Sequence, residues 1–370
     1  MTAIAVTGIS VGLAAGTSQA AVTHPQAARP AATSYSAAGG VLGVAAAANN
    51  NAWAVGYAGG ISSSKLLMLH WNGSAWSRVT KPAVLASTGS LSAITVVNSK
   101  DAWAVGSTGS PEGTIHSLIL HWNGSAWSQV TSPAPVKDAA LSAVTATSKG
   151  AFAVGYYYTG ESALDYWSLT FRLTGSKWSR VAAKTNDVSL DGVATSTAGT
   201  TWATANEVGM ITGGLAKWNG NAWSWTSFPV EGQYHALNGI AAGPGNTAFA
   251  VGTNGNAPAT PPLGMKWTGH AWQKVTVSAP KSSGLDAVTV APGGTAWAVG
   301  STSGAGGRTL IVRWNGHEFV RVASPNPESQ IQLAGIHFSA ANYGWAVGYN
   351  YQPSGAAKTV ILHWNGHSWS

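Results

Sequence analysis

The chain has 370 residues, and only 8% of them are charged, against ~25% in an average soluble protein. Its net charge of +7 comes from 19 basic and 12 acidic residues, with no run of five cations, so nothing marks a nucleic-acid surface. Cys is absent, which excludes disulfides, thiolate chemistry and Cys-ligated metals.

The first 20 residues combine an apolar run, Ala3 to Ala15, with Ser18-Gln19-Ala20. A short apolar core followed by a small-x-small exit is the pattern of a secretory signal peptide, although no Lys or Arg precedes it. Residues 21–38 are Ala- and Pro-rich and are expected to form a tether. Nothing from residue 39 onward is long and apolar enough to be expected to span a membrane.

Residues 39–370 are one paragraph written seven times. An aromatic recurs at Trp53, Trp103, Phe152, Trp202, Phe249, Trp297 and Trp345, and a Leu at Leu42, Leu91, Leu141, Leu190, Leu237, Leu285 and Leu333. Two landmarks holding one register through seven units define a structural repeat. Each unit contains four strand-like runs: a first like LSAITVV, a second like AWAVG, a third like LILHW and a fourth like AWSRV. Third and fourth runs are joined by Asn72-Gly73, Asn123-Gly124, Asn219-Gly220, Asn315-Gly316 and Asn365-Gly366, with Thr174-Gly175 and Thr268-Gly269 in the remaining two units. Asn-Gly between apolar runs predicts a tight hairpin, because both residues tolerate positive φ. No segment has a helical period. Four strands per unit is the size of a propeller blade, so the expected fold is an all-β, seven-bladed β-propeller with four antiparallel strands per blade. The small residues around AWAVG suit the crowded inner part of a blade, and the Trp residues of the third and fourth runs are expected to fill the spaces between blades. The seventh unit stops at Ser370, just after Trp369. Its outer strand is therefore expected to be short, or else completed by the tether near residues 33–37.

These motifs resemble kelch-type repeats, with Ala104-Val105-Gly106, Trp122, Asn123-Gly124 and Trp127 in comparable places and one Gly where kelch repeats have a pair. The WNGxxW turn is similar to the Asp box of sialidase-type propellers with Asn in place of Asp. The whole pattern resembles the Trp-rich secreted propellers of actinobacteria. The resemblance implies fold rather than activity. Kelch-type copper oxidases need a Cys–Tyr cofactor, which this Cys-free chain cannot form.

Residues suited to catalysis are sparse. Arg78, Arg180 and Arg321 share one position of the fourth run with Lys274 and Gln129, which reads as charge guarding an exposed edge. A glycosidase needs two placed carboxylates. Asp101 lies in a turn, Asp191 and Asp286 follow the Leu of the first run, and Glu161 and Asp165 lie in the longest loop, the one place suited to acid–base work. His70, His121 and His363 alternate with Lys217, Lys266 and Arg313 at one position, which argues for a half-exposed strand site rather than a metal ligand. No cofactor, metal or catalytic residue is assigned.

Binding is expected on the face that carries the loops between second and third runs and between blades, because these loops vary most on a uniform scaffold. Tyr57, Tyr156, Tyr157, Tyr158, Tyr166, Trp167, Tyr349 and Tyr351 concentrate there. Rings with a polar tip suit sugars and protein interfaces alike. The expectation is a secreted, non-catalytic, lectin-like module for a surface or wall glycan, or alternatively a protein-interaction scaffold, with no nucleic-acid partner. The near-identical WNGxxW turns would suit several equivalent sites, the dissimilar loops a single patch.

Overall fold

The computed structural model describes residues 35–60, 64–109, 113–133, 138–160, 166–181, 188–207, 213–226, 235–255, 261–302, 307–351 and 357–370. The expected signal peptide, most of the expected tether and the loop acids Glu161 and Asp165 lie outside the described residues.

Blade one consists of Gly39–Ala48, Asn51–Ala58, Lys65–Trp71 and Trp76–Arg78, paired antiparallel in that order. The same up-and-down order recurs in six further sheets, with a two-residue fifth strand, Val277–Ser278, running parallel to the outer strand of blade six and only three full strands in blade seven. The first strands are Gly39–Ala48, Gly89–Asn98, Ala139–Thr147, Val188–Thr195, His235–Ala242, Ser283–Val290 and Ile331–Ala340. Each packs against the first strand of the next blade, and the seventh returns to the first. The result is a closed, all-β ring of seven blades with these strands innermost. Among the described residues the only helical piece is a single 3-10 turn, Ala83–Ala86.

Crowding at the inner strands explains the repeated Gly. A Cβ on Gly56, Gly106, Gly155, Gly252, Gly300 or Gly348 would lie 1.8–2.1 Å from a carbonyl oxygen of the adjoining first strand. Blade four carries Ala205 at that place. Beside it, every first strand bulges, leaving one residue unpaired: Leu42, Ser92, Ser142, Asp191, Asn238, Asp286 or Ala334. Val41, not Leu42, pairs with Gly56 and is fully buried. The first Leu landmark is thus one residue out of register: Leu42 occupies the bulge.

Aromatic side chains hold neighbouring blades together. The second-strand aromatic of each blade meets the third- and fourth-strand aromatics of the next, a Trp pair in five blades, Trp314 with Phe319 in blade six and Trp178 alone in blade three. Trp53 lies 4.9 and 5.2 Å from Trp122 and Trp127, and Trp202 lies 4.7 and 5.8 Å from Trp267 and Trp272. The ring closes the same way, with Trp345 of blade seven 4.9 and 5.1 Å from Trp71 and Trp76 of blade one. Edge-on and tilted contacts at these distances suit the aromatic quadrupole. The cross-strand partner of that aromatic lies against its face: His70 and His121 at 4.1 and 4.0 Å, Lys217 and Arg313 at 5.0 and 5.4 Å. Imidazole and cation interchange because either sits well on a π face.

The Asn-Gly turns differ from the expected geometry. Gly73, Gly124, Gly220, Gly316 and Gly366 take positive φ, but the Asn residues do not. Instead each Asn Oδ1 accepts from the backbone N–H groups two and three residues on, as Asn72 does from Ser74 and Ala75 at 2.9 and 3.0 Å. The Asn acts as a side-chain cap of a longer turn, a role Thr268 takes over with its hydroxyl.

Both expected closures of blade seven occur together. Ser370 exchanges two 3.0 Å backbone bonds with His363, giving a very short outer strand. Further along the same third strand, Ala37 O accepts from Thr359 N–H at 3.0 Å, and Ala38 bridges Lys358. These residues then run directly into the first strand of blade one.

Candidate functional site at the axial mouth

The bulges decide which residues stand out from the inner ladders. An unpaired bulge residue is re-aimed away from the ladder, and these seven all stand on the innermost strands, around the axis. The seven such positions are unlike one another: Leu42, Ser92, Ser142 and Ala334 are small or apolar, whereas Asp191, Asn238 and Asp286 stand on three consecutive blades. One arc around the axis is therefore polar. A second circle of residues follows the crowded second-strand Gly or Ala toward the loop face: Tyr57, Ser107, Tyr156, Asn206, Thr253, Ser301 and Tyr349.

Hydrogen bonds join the two circles. Asp191 Oδ2 accepts from Asn206 Nδ2 at 2.5 Å and from the Ser189 hydroxyl at 3.2 Å. Asn206 also clamps the next blade, donating to Leu237 O and accepting from Leu237 N–H at 3.1 and 3.0 Å. Asn238 donates to Leu285 O at 3.0 Å. Gln332 donates from Nε2 to Asp286 Oδ2 at 3.2 Å and accepts from the Tyr349 hydroxyl at 2.9 Å. The Asn206–Leu237, Asn238–Leu285 and Gln332–Asp286 bonds each cross a blade boundary, so the arc is held in place by the ring itself.

Burial dominates the electrostatics. It pushes the Asp286 carboxyl up to about 6, against the opposing pull of the Gln332 hydrogen bond. Asp191 is raised for the same reason, with the Asn206 and Ser189 bonds opposing. Tyr156 is raised by burial, then by Tyr166 and Asp191. Tyr57 and Tyr349 are raised chiefly by burial, with neighbouring phenols adding to it. These phenols stay protonated at neutral pH and offer O–H donors beside carboxylate acceptors.

The tyrosines singled out in the sequence fall into three groups. Tyr57, Tyr349 and Tyr351 form a file across the junction of blades seven and one, with ring centroids 6.5 Å and then 5.1 Å apart. Tyr351 is 41% exposed and Tyr57 lies over Gly40. Tyr156, Tyr158 and Tyr166 cluster on blade three, 5.2 and 5.6 Å from ring to ring. Tyr157 and Trp167 are cross-strand partners on the opposite side of that sheet. Tyr157 packs against the interior between blades two and three, under the Arg180 guanidinium at 4.6 Å. Asn206, Asn238 and Gln332 were not singled out in the sequence. Gln332 alone carries a sequence signal, since the other blades place Gly40, Ser90, Ala140, Ser189, Ala236 or Gly284 there.

The repeated WNGxxW turns spend their Trp residues on packing. Trp71, Trp76, Trp127, Trp178, Trp267, Trp272 and Trp369 are buried, and Trp122, Trp218, Trp223 and Trp314 are half-buried against the aromatic of the preceding blade. His70 and His121 hydrogen-bond Asn51 and Asp101 at 3.0 Å while stacked on Trp, and no group of three metal-ligating side chains occurs among the described residues. No helix of the described residues is long and apolar enough to cross a membrane.

No protein-family model matches the sequence, and no curated protein does. Solved β-propeller structures share its fold. A structure of YCF48 bound to D1 peptide aligns at a TM-score of 0.56 with 13% identity, over 88% of this chain and 94% of that one. The β-propeller domain of the Trilobed protease from Pyrococcus furiosus aligns at 0.54 with 8% identity, over 90% and 97%. The six-bladed aleuria aurantia lectin, with its fucose recognition, aligns at 0.47 with 14% identity, over 79% and 95%, too distantly to support an argument. At such identities the likeness defines the class, a β-propeller, and nothing finer.

Proposed function

We propose that this protein is a secreted, non-catalytic binding module that holds a glycan at the axial mouth on the loop face. The observation behind this reading is the arc of Asp191, Asn238 and Asp286 beside Tyr156 and Tyr349. Planar carboxylates and amides suit paired sugar hydroxyls, and phenol rings suit the apolar face of a pyranose. The N-terminal signal-peptide pattern supports export. Burial of the turn Trp residues favours one asymmetric site over several equivalent ones, so affinity would not arise from multivalency within one chain. That asymmetry also supports the second reading, a peptide or protein partner seated on the same mouth.

The test is a glycan array on the purified protein, covering bacterial wall polymers and host-type sugars. Specific hits lost on Tyr349→Ala or Tyr156→Ala, in variants that still unfold cooperatively, support the reading. A silent array with folded protein sinks it and directs the search to partners captured from culture medium.

A further inference from the structure

Charge is sorted radially in this molecule. The third and outer strands carry the cations, including Arg172, Lys217, Lys266, Arg313, Arg78, Arg180, Lys274 and Arg321. The seven inner strands contain no Lys or Arg, and their only acids are Asp191 and Asp286. A chain of net charge +7 thus turns a locally negative surface toward its axis.

A second feature is independent of that sorting. Among the described residues, every hydrogen bond to the two carboxylates lands on one oxygen. Asn206 and Ser189 both meet Oδ2 of Asp191, and Gln332 meets Oδ2 of Asp286. Oδ1 of each has no hydrogen-bond partner among the described residues. An ionised carboxylate has about four acceptor positions, and here one oxygen is held fixed while the other keeps its acceptor capacity. Between them Asn238 spends one of its two amide N–H groups on Leu285 O, which leaves its carbonyl oxygen as a further acceptor. With the two carboxylates, the arc is richer in acceptors than in N–H donors. At the rim, Tyr57, Tyr156 and Tyr349 add ring faces, which attract cations. The ligand this arrangement complements is a multiple hydrogen-bond donor with positive charge. An anionic sugar would meet two fixed carboxylates.

We propose that the axial mouth selects glycans carrying free amino groups, deacetylated hexosamine chains, over their N-acetylated, neutral or acidic counterparts. This rests on the glycan-binding reading above and narrows it. The ammonium engages Oδ1 of Asp191 or Asp286 while the sugar ring lies against the rim tyrosines. Both acids must be ionised to act, so the burial that raises them makes binding weaken as pH falls below about 6, where Asp286 takes up its proton.

The experiment is calorimetric titration of the full chain with four probes: a glucosamine tetramer, its fully N-acetylated form, a neutral glucose tetramer and a glucuronate-containing tetramer. The glucosamine tetramer is expected to bind at least about tenfold tighter than the others, as befits a charge-assisted hydrogen bond. Asp191→Asn and Asp286→Asn should each cut its affinity about tenfold without lowering thermal stability, while Glu318→Asn, at an exposed turn, should leave it unchanged. Equal or tighter binding of the N-acetylated or neutral tetramer overturns the amine preference and leaves the glycan reading standing. An effect of Glu318→Asn equal to that of the axial variants would reduce the preference to net charge and overturn the site. Failure of all four probes, with no hit on the array, removes both.

Discussion

Asp286 and His337 are half-buried titratable groups whose effects on stability oppose each other. Burial holds the Asp286 carboxyl at about 6, above its unfolded value near 4. The folded state then binds the proton more tightly, so stability is fully present below the unfolded value and is lost as pH rises through about 6. Burial lowers His337 to about 4, against the opposing effect of a backbone hydrogen bond with Ala46. There the neutral form is favoured, so stability is fully present above the unfolded value near 6.5 and is lost as pH falls toward about 4. Between pH 4 and 6 the two slopes partly cancel. Asp286→Asn is expected to stabilise the protein at pH 7.5 by roughly 1–3 kcal/mol and to leave a profile that declines on acidification. His337→Thr, which copies the residue at the same place in three other blades (Thr95, Thr145 and Thr289), should give the opposite slope. Urea unfolding across pH 4 to 8 checks both; parallel profiles for the two variants would contradict the assignment. In the sequence, Asp286 was visible as an acid after the inner Leu, but not its environment. Burial of Asp286 depends on the bulge that turns it out of the ladder, and a bulge leaves no residue signature of its own when its seven occupants run from Leu42 to Asp286.

At the scale of the strand, the repeated aromatic is the joint between blades. Its period was legible because seven joints need the same shape, and the expected place of the third- and fourth-strand Trp residues between blades is where they lie. The Asn-Gly turn was legible as a turn but not in kind: Gly alone supplies positive φ, and the Asn side chain caps the backbone instead. Trp345 is 1% exposed and packed between Trp71 and Trp76. Trp345→Ala should cost about 3–5 kcal/mol, the range for deleting a large buried aromatic. Trp345→Phe should cost much less, since Phe152 and Phe249 fill the same joint in blades three and five. Chemical denaturation monitored by Trp fluorescence separates the two. A Trp345→Ala cost below about 1 kcal/mol would mean that the joint is not what holds the blades. One outer strand departs from its peers. Where the other blades place Arg78, Gln129, Arg180, Lys274 or Arg321, blade four places Trp225, 47% exposed. A charge at that edge position discourages edge-to-edge pairing, so Trp225→Arg is expected to raise the concentration at which the protein begins to self-associate. Light scattering over a concentration series reads this out, and an unchanged onset would show that the edge is protected by other means.

At the scale of the whole molecule, a ring must be closed by something, and the seven-fold repeat predicts the number of blades without saying how the last meets the first. Two alternatives were open in the sequence, a short outer strand or help from the N-terminal segment, and the molecule uses both because each covers a different end of one strand. Trp369 and Ser370 pair where Ala357–Trp364 ends; Tyr35 to Ala38 pair where it begins. In an ordinary blade the link does the same: Thr88 bridges Lys65 before Gly89–Asn98 starts. Blade seven therefore copies the others in geometry and differs only in having its outer edge assembled from two ends of the chain. Thr359 carries that seam. Its hydroxyl accepts from Ala37 N–H at 3.0 Å and donates to Tyr35 O at 3.1 Å, and its backbone N–H bonds Ala37 O at 3.0 Å. Thr359→Val keeps the shape and the backbone bond but leaves Ala37 N–H and Tyr35 O without their partner. The expected loss is about 1–3 kcal/mol, the cost of stranding half-buried polar groups. Because the axial arc depends on blades six and seven staying in register through Gln332 and Asp286, the loosening should spread inward. Native-state hydrogen exchange is expected to quicken first at the backbone amides of Ala357–Trp364 and then at Ile331–Ala340, while Ala139–Thr147, on the opposite side of the ring, keeps its protection. Uniform quickening around all seven blades would instead mean that the ring opens as one cooperative unit and that the seam is no weaker than any other joint.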